Sequence, residues 1–60
     1  MIIEQYQHVV LKDGREGCAV EVFDQKEFIV DIGSSPKDWE TIYVNIDEID
    51  IEATEKSVRQ

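Results

Sequence analysis

Histidine and cysteine are the two side chains here that could do covalent chemistry, and the sequence contains one of each, His8 and Cys18. A general base must lie beside the group that it deprotonates, and a reactive cysteine needs surroundings that favour its thiolate. The strand pattern described below directs His8 outward and Cys18 inward beside Val20. We therefore interpret His8 as a partly exposed polar residue and Cys18 as a small core residue. One histidine facing outward also gives no basis for a Ser/His/Asp arrangement, so we predict no catalytic residue.

Four closely spaced acids, Asp47, Glu48, Asp50 and Glu52, could collect a hard cation such as Ca²⁺. Their spacing is not that of a calcium loop, and along a strand only Asp50 and Glu52 would share a face. We interpret these acids as a solvated acidic edge, which would also discourage edge-to-edge association. The sequence therefore predicts no metal site and no cofactor.

The charge balance favours a protein partner over nucleic acid. The formal net charge is −8, and residues 38–55 contain seven acids and no Lys or Arg. Such a surface repels phosphate backbones, whereas a basic partner protein would suit it. The alternative is that the acids serve only to keep the protein in solution.

Alternation of apolar and polar residues predicts that these side chains lie on a small sheet. Apolar residues recur at every second position, and most of them are β-branched or aromatic, as strands prefer. We predict five strands, at residues 8–12, 17–24, 27–33, 40–46 and 49–53. A tight turn at residues 47–49 would join the last two strands, and a Gly- and Pro-containing loop at 33–38 would separate the third from the fourth.

The two glycines of the segment DGREG (residues 13–17) have different predicted roles. Asp13-Gly14 predicts a two-residue hairpin turn, which sets Val9 opposite Cys18. Gly17 would permit a bulge or a close backbone approach where the next strand begins to coil. The alternative to these structural roles is a phosphate-binding loop, but the segment lacks the helix that follows such loops.

The second hairpin and the outward-facing residues follow from the same alternation. A three-residue connection at 24–26 would set Val22 opposite Phe28 and Val20 opposite Val30. Large apolar residues then remain on the outward face, together with Ala19, and form a candidate protein-contact face: Phe23, Ile29, Trp39 and Tyr43. Exposed apolar groups in one patch mark contact sites, although a strongly bent barrel could bury part of this face.

The segments VVLKDGREGCAVEVF and EFIVDIG resemble those of small uncharacterised bacterial SH3-like domains. The resemblance covers about residues 8–52 and implies an all-β, five-stranded SH3-like barrel, without an activity that could be carried over. The chain is also similar to the KOW-type half-barrels of ribosomal and elongation proteins, in which a glycine such as Gly17 precedes an alternating strand. Those domains are basic, whereas this chain is acidic.

The 60 residues are expected to form one domain at 1–53, followed by a polar C-terminal tail at 54–60 that frays. A lone thiol and the lack of a signal-like start suggest the cytoplasm, and no apolar run is long enough for a membrane. We expect a non-catalytic protein-interaction or accessory module that binds a protein partner or itself, with no small-molecule substrate. The alternatives are an acidic nucleic-acid mimic that occupies a basic site on a partner, and a KOW-like nucleic-acid-associated domain.

Overall fold

The computed structural model describes residues 2–33 and 37–58, and it confirms a mostly β protein. Its elements, in chain order, are β1 (His8–Val10), β2 (Glu16–Phe23), β3 (Glu27–Ile32), β4 (Glu40–Asn45), a 3₁₀ turn (Ile46–Glu48) and α1 (Ile51–Val58). The strands form one antiparallel sheet in the order β1-β2-β3-β4. Four of the five predicted strands are therefore confirmed, and the tight turn is present one residue earlier than predicted.

The predicted fifth strand is wrong, because residues 51–58 form α1. The carboxylate of Asp50 accepts the backbone N–H of Ala53 at 3.0 Å, and the Thr54 N–H donates to the Asp50 carbonyl at 2.9 Å. Asp50 thus caps the helix, and this cap outweighs the strand-like alternation around it. The helix continues through the position where the tail was predicted to begin; residues 59–60 lie outside the described part of the chain.

The sheet is open, so the prediction of a closed five-stranded barrel is also wrong. After β4 the chain crosses to the far side of the sheet and meets β1 in a single bridge, between Leu11 and Ile49. The Lys12 N–H donates to the Glu48 carbonyl at 2.9 Å, and the Asp50 N–H donates to the Val10 carbonyl at 2.8 Å. Because α1 begins at the next residue, this pairing cannot extend into a strand.

The first hairpin has a three-residue connection, not the two-residue turn that we predicted. The Leu11 N–H donates to the Arg15 carbonyl, and the Gly14 N–H donates to the Leu11 carbonyl. Gly14 has a φ of +96°, which is the geometry of a turn followed by a glycine bulge. His8 consequently pairs with Cys18, and Val9 pairs with Gly17. A shift of one residue exchanges the two faces of a strand, so Cys18 points to the outer face of the sheet.

A β-bulge in β2 then restores the predicted orientation. Ala19 pairs with Val30, but Glu21 pairs with Ile29, so Val20 is the extra residue. Ala19 is fully buried, although we predicted it on the outward face. Beyond the bulge, Val22 pairs with Phe28, as predicted.

The core lies on the inner face of the sheet, between the strands and the segment that crosses beneath them. Phe28, Val30 and Val44 are buried there, as the alternation predicted. The remaining buried hydrophobic residues are Ile3, Val9, Leu11, Ala19 and Ile49. Ile3 was not predicted; its backbone N–H and carbonyl are both bonded by the Gln25 side chain, each at 2.7 Å.

Helix α1 covers the free edge of β1 through one buried hydroxyl. The Thr54 Oγ1 accepts the Val10 N–H at 3.0 Å and donates to the Val10 carbonyl at 3.4 Å. Thr54 is completely buried. The helix therefore satisfies backbone groups that an exposed edge strand would leave open.

Candidate protein-contact face

The register of the four strands aligns a row of polar side chains across the outer face. His8 pairs with Cys18, Cys18 with Asp31, and Asp31 with Thr41. The Thr41 hydroxyl donates to the Asp31 carboxylate at 2.5 Å. Sequence analysis missed this row, because it depends on a hairpin register that differs by one residue from the predicted one.

Three residues of this row, His8, Cys18 and Asp31, line an open groove of about 830 Å³. We call this region the outer groove; its lining residues are Tyr6, His8, Glu16, Gly17, Cys18, Val20, Asp31, Ile32, Gly33 and Trp39. Tyr6 is 71% exposed and Trp39 is 59% exposed. Among the described residues, no Lys or Arg lines this groove, and its charged residues other than His8 are the carboxylates Glu16 and Asp31.

Two glycines shape the groove. A Cβ on Gly17 would lie 2.2 Å from the Asp31 carbonyl oxygen, which confirms the predicted close backbone approach. Gly33 has a φ of +136°, and a Cβ there would lie 3.0 Å from Cδ1 of Trp39. The indole therefore lies against bare backbone at the end of β3, a position that a larger residue would obstruct.

His8 connects α1 to the sheet. Its Nδ1 contacts the Ser57 hydroxyl, and its Nε2 lies 3.3 Å from a Glu16 carboxylate oxygen. The order serine, histidine, acid resembles a catalytic triad, an arrangement that was not predicted from the sequence. However, Ser57 lies in the last turn of α1, where the helix dipole is negative and would oppose a developing oxyanion. We interpret the three side chains as a link that holds α1 against β1.

Cys18 is half-buried in the outer groove between His8 and Asp31, and its predicted place in the core is wrong. Reactive cysteines lie in electropositive surroundings, and this one has a carboxylate as its cross-strand neighbour. Among the described residues, no three His, Cys, Asp or Glu side chains are close enough to hold a metal ion.

The four residues predicted as a contact face lie in two places on the outer face. The rings of Phe23 and Tyr43 are 6.5 Å apart between centroids, and Ile29 is the cross-strand partner of Tyr43. Phe23 is 42% exposed and Tyr43 is 60% exposed, whereas Ile29 is half-buried. Trp39 lies apart from these three, at the outer groove. The prediction joined two neighbouring patches, and it missed Tyr6, which precedes the first strand.

A carboxylate lies beside the aromatic pair as well. A hydrogen bond to Glu27 raises the pKa of Tyr43 above its ordinary value, with burial and the Glu27 charge as smaller causes. Glu27 is also the cross-strand partner of Phe23, so this carboxylate lies on the same face as both rings. Both patches on the outer face thus combine exposed aromatic rings with negative charge.

Several of the acids, and the cation of Arg15, are bonded to neighbouring groups of the protein. The Glu48 carboxylate accepts the Asn45 N–H at 2.8 Å, and Asp50 caps α1 as described above. Arg15 donates from Nε to Asp13 at 2.7 Å and lies 4.0 Å from Glu40. A hydrogen bond from the Arg15 backbone N–H, aided by its guanidinium, holds the pKa of Asp13 below its ordinary value. The acids that we interpreted as an exposed edge are thus partly helix and turn caps.

Comparison with known proteins finds no matching family model, no similar curated protein and no similar solved structure. In the part of the chain that the structure describes, no helix is both long and apolar enough to cross a membrane. The outer face must therefore be interpreted from its own geometry.

Proposed function

We propose that the protein is a non-catalytic interaction module whose outer face binds a basic segment of another protein. The observation that supports this most directly is the pairing of exposed aromatic rings with carboxylates on one face of the sheet. Tyr6 and Trp39 line a groove in which the described residues include two carboxylates and no Lys or Arg. Phe23 and Tyr43 lie beside Glu27 on the same face.

These groups are suited to arginine and lysine side chains. A guanidinium or ammonium group gains from the face of an indole or phenol ring, and a nearby carboxylate adds a charge-assisted hydrogen bond. Trp, Tyr and Phe are also enriched in protein interfaces, and Trp and Tyr are frequent among the residues that contribute most to binding. A reducing cytoplasm remains the compartment that we propose, on the basis of the lone Cys18 thiol.

The alternative functions have less support from the described residues. A nucleic-acid mimic needs a continuous acidic face, but Glu48 and Asp50 are used as caps, and Glu52 lies 3.3 Å from Lys56. A KOW-like domain needs gathered cations, but Arg15 is held by Asp13 and by Glu40. The likeness to SH3-like domains also stays a proposal, supported by consecutive antiparallel strands and by the 3₁₀ turn before Ile49.

The proposal can be tested with a labelled, blocked peptide of about nine residues in which arginine alternates with valine, long enough for one strand. We expect fluorescence anisotropy to show binding that weakens with added salt, since exposed charges are screened. A peptide with glutamate in place of arginine should not bind. Trp39→Ala or Tyr43→Ala should weaken binding about tenfold, the effect of losing a contact hot spot.

Two matched controls distinguish binding at the outer face from general effects of negative charge and of exposed apolar surface. Ile2 is 73% exposed but does not line the outer groove, so Ile2→Ala should bind like the original protein. Glu27→Gln and Glu52→Gln each remove one negative charge, from the outer face beside Phe23 and Tyr43 and from α1 respectively. Equal effects of these two changes, or no binding of the arginine peptide, would contradict the proposal.

A further inference from the structure

The outer side of β4 presents backbone groups for which the described residues provide no strand partner. The Ile46 N–H donates to the Lys26 carbonyl at 2.8 Å, which fixes which residues of this strand point toward β3. Hydrogen-bonding direction alternates along an antiparallel strand, so Glu40, Ile42 and Val44 point toward β3. Thr41 and Tyr43 therefore direct their N–H and carbonyl groups outward. The same alternation directs the Asn45 N–H away from β3. In agreement with this, the Asn45 N–H donates to the Glu48 carboxylate.

The two edge strands of the sheet, β1 and β4, differ in what covers their outer sides. The edge of β1 is covered by α1, whose Thr54 hydroxyl bonds both backbone groups of Val10. β4 is the last strand of the sheet, and no described strand pairs with its other side. Natural edges are often protected by lysine, proline or a bulge, and β4 (Glu40–Asn45) contains none of these.

The charges near this edge indicate what it would accept. β3 and β4 together contain Glu27, Asp31 and Glu40, and neither strand contains Lys or Arg. A second copy of the chain would bring another net charge of −8 to this edge. An extended segment that contains arginine or lysine is complementary to it, whereas a second copy is not.

We propose that the partner's basic segment binds as an added strand along β4, with Thr41 and Tyr43 supplying the backbone hydrogen bonds. This inference rests on the proposed function and specifies its binding mode. Side chains of an added strand alternate between the two faces, so every second one lies on the outer face beside Trp39, Thr41 and Tyr43. Cations at those positions would meet the aromatic rings, and the remaining side chains would extend the inner face next to Ile42.

Backbone methylation tests the binding mode without changing the protein. In a strand, the N–H groups of alternate residues point to the same side. Two versions of the arginine–valine peptide are needed, one N-methylated at the arginines and the other at the valines. An added strand uses only one side of the peptide, so we expect one version to lose about tenfold or more in affinity and the other to bind nearly as the parent does. Equal binding by both versions, or equal loss by both, would overturn the strand mode.

A variant pair tests the protein side. Thr41→Pro removes an N–H that points away from β3, which an edge strand tolerates, and should weaken peptide binding about tenfold. Thr41→Val keeps the N–H and removes the hydroxyl bonded to Asp31, so it should bind nearly normally. Circular dichroism would establish that both variants fold, and the methylated peptides decide the question if Thr41→Pro does not.

The outcomes separate the two proposals. If the unmethylated peptide does not bind, the proposed function fails. If it binds but both methylated versions bind equally well, the function stands and the strand mode fails. If sedimentation shows that the protein alone dimerises and that Thr41→Pro abolishes the dimer, the edge serves a second copy and the partner-strand proposal is overturned.

Discussion

At the scale of single residues, Gly17 occupies a position with no room for a side chain. A Cβ there would lie 2.2 Å from the Asp31 carbonyl oxygen, which belongs to backbone and cannot rotate away. Gly14 has a φ of +96° but open space around it. Gly17 is therefore required by packing, and Gly14 is required by turn geometry.

Urea denaturation of two alanine variants checks this distinction. We expect Gly17→Ala to lower the free energy of unfolding by about 2 kcal/mol or more, because backbone must move. Gly14→Ala should cost about 1 kcal/mol, the strain of a positive φ in a residue with a Cβ. A larger loss for Gly14→Ala than for Gly17→Ala would show that the close approach of β2 to β3 is not rigid.

At the scale of elements, the contact between α1 and β1 depends on the Thr54 hydroxyl. Thr54→Val keeps the shape and burial of the side chain but leaves the Val10 N–H without its partner. We expect a loss of about 1–3 kcal/mol in the free energy of unfolding, the range for an unsatisfied buried group. Thr54→Ser keeps the hydroxyl and loses one methyl, about 0.8 kcal/mol. If Thr54→Val were the more stable of the two in urea titration, burial and not hydrogen bonding would hold the helix.

The elements also show how far the sequence could predict this fold. Alternation located four strands to within about two residues, because burial of one sheet face leaves that pattern directly. It could not count the residues of the first connection, since Asp13-Gly14 fits both a two-residue turn and the end of a three-residue one. That difference of one residue moved Cys18 and Val20 to the outer face and concealed the row from His8 to Thr41.

Other features left weaker signals or none. Asp24 and Gln25 both have positive φ in the second hairpin turn, although neither is glycine, so their geometry could not be read from residue type. The bulge at Val20 has no glycine either. Asp50 followed by Ala53 and Thr54 was a usable helix-start signal, and the alternation of Ile49 and Ile51 obscured it. The exposure of Phe23, Trp39 and Tyr43 followed from the alternation, whereas their use as a contact face stays a proposal.

At the scale of the whole molecule, charge should govern how stability responds to salt. The net charge of −8 on 60 residues repels itself, and added salt screens that repulsion. We expect the melting temperature to rise by a few degrees between about 0.02 and 0.5 M NaCl. Glu21→Lys, at an exposed position, changes the net charge from −8 to −6 and should reduce that rise. A melting temperature that falls with salt would mean that local ion pairs, such as the one between Arg15 and Asp13, matter more than the overall charge.

Within the described residues, β1 is covered by α1 and the outer side of β4 has no paired strand, so we expect at most one further strand to join this sheet. A continuous sheet built from many copies requires each copy to pair at both of its edge strands, and α1 covers the edge of β1. One added strand would therefore terminate the sheet. A chain whose helix detached would expose both edges, and we expect such a chain to form filaments more readily than one whose helix stays in place.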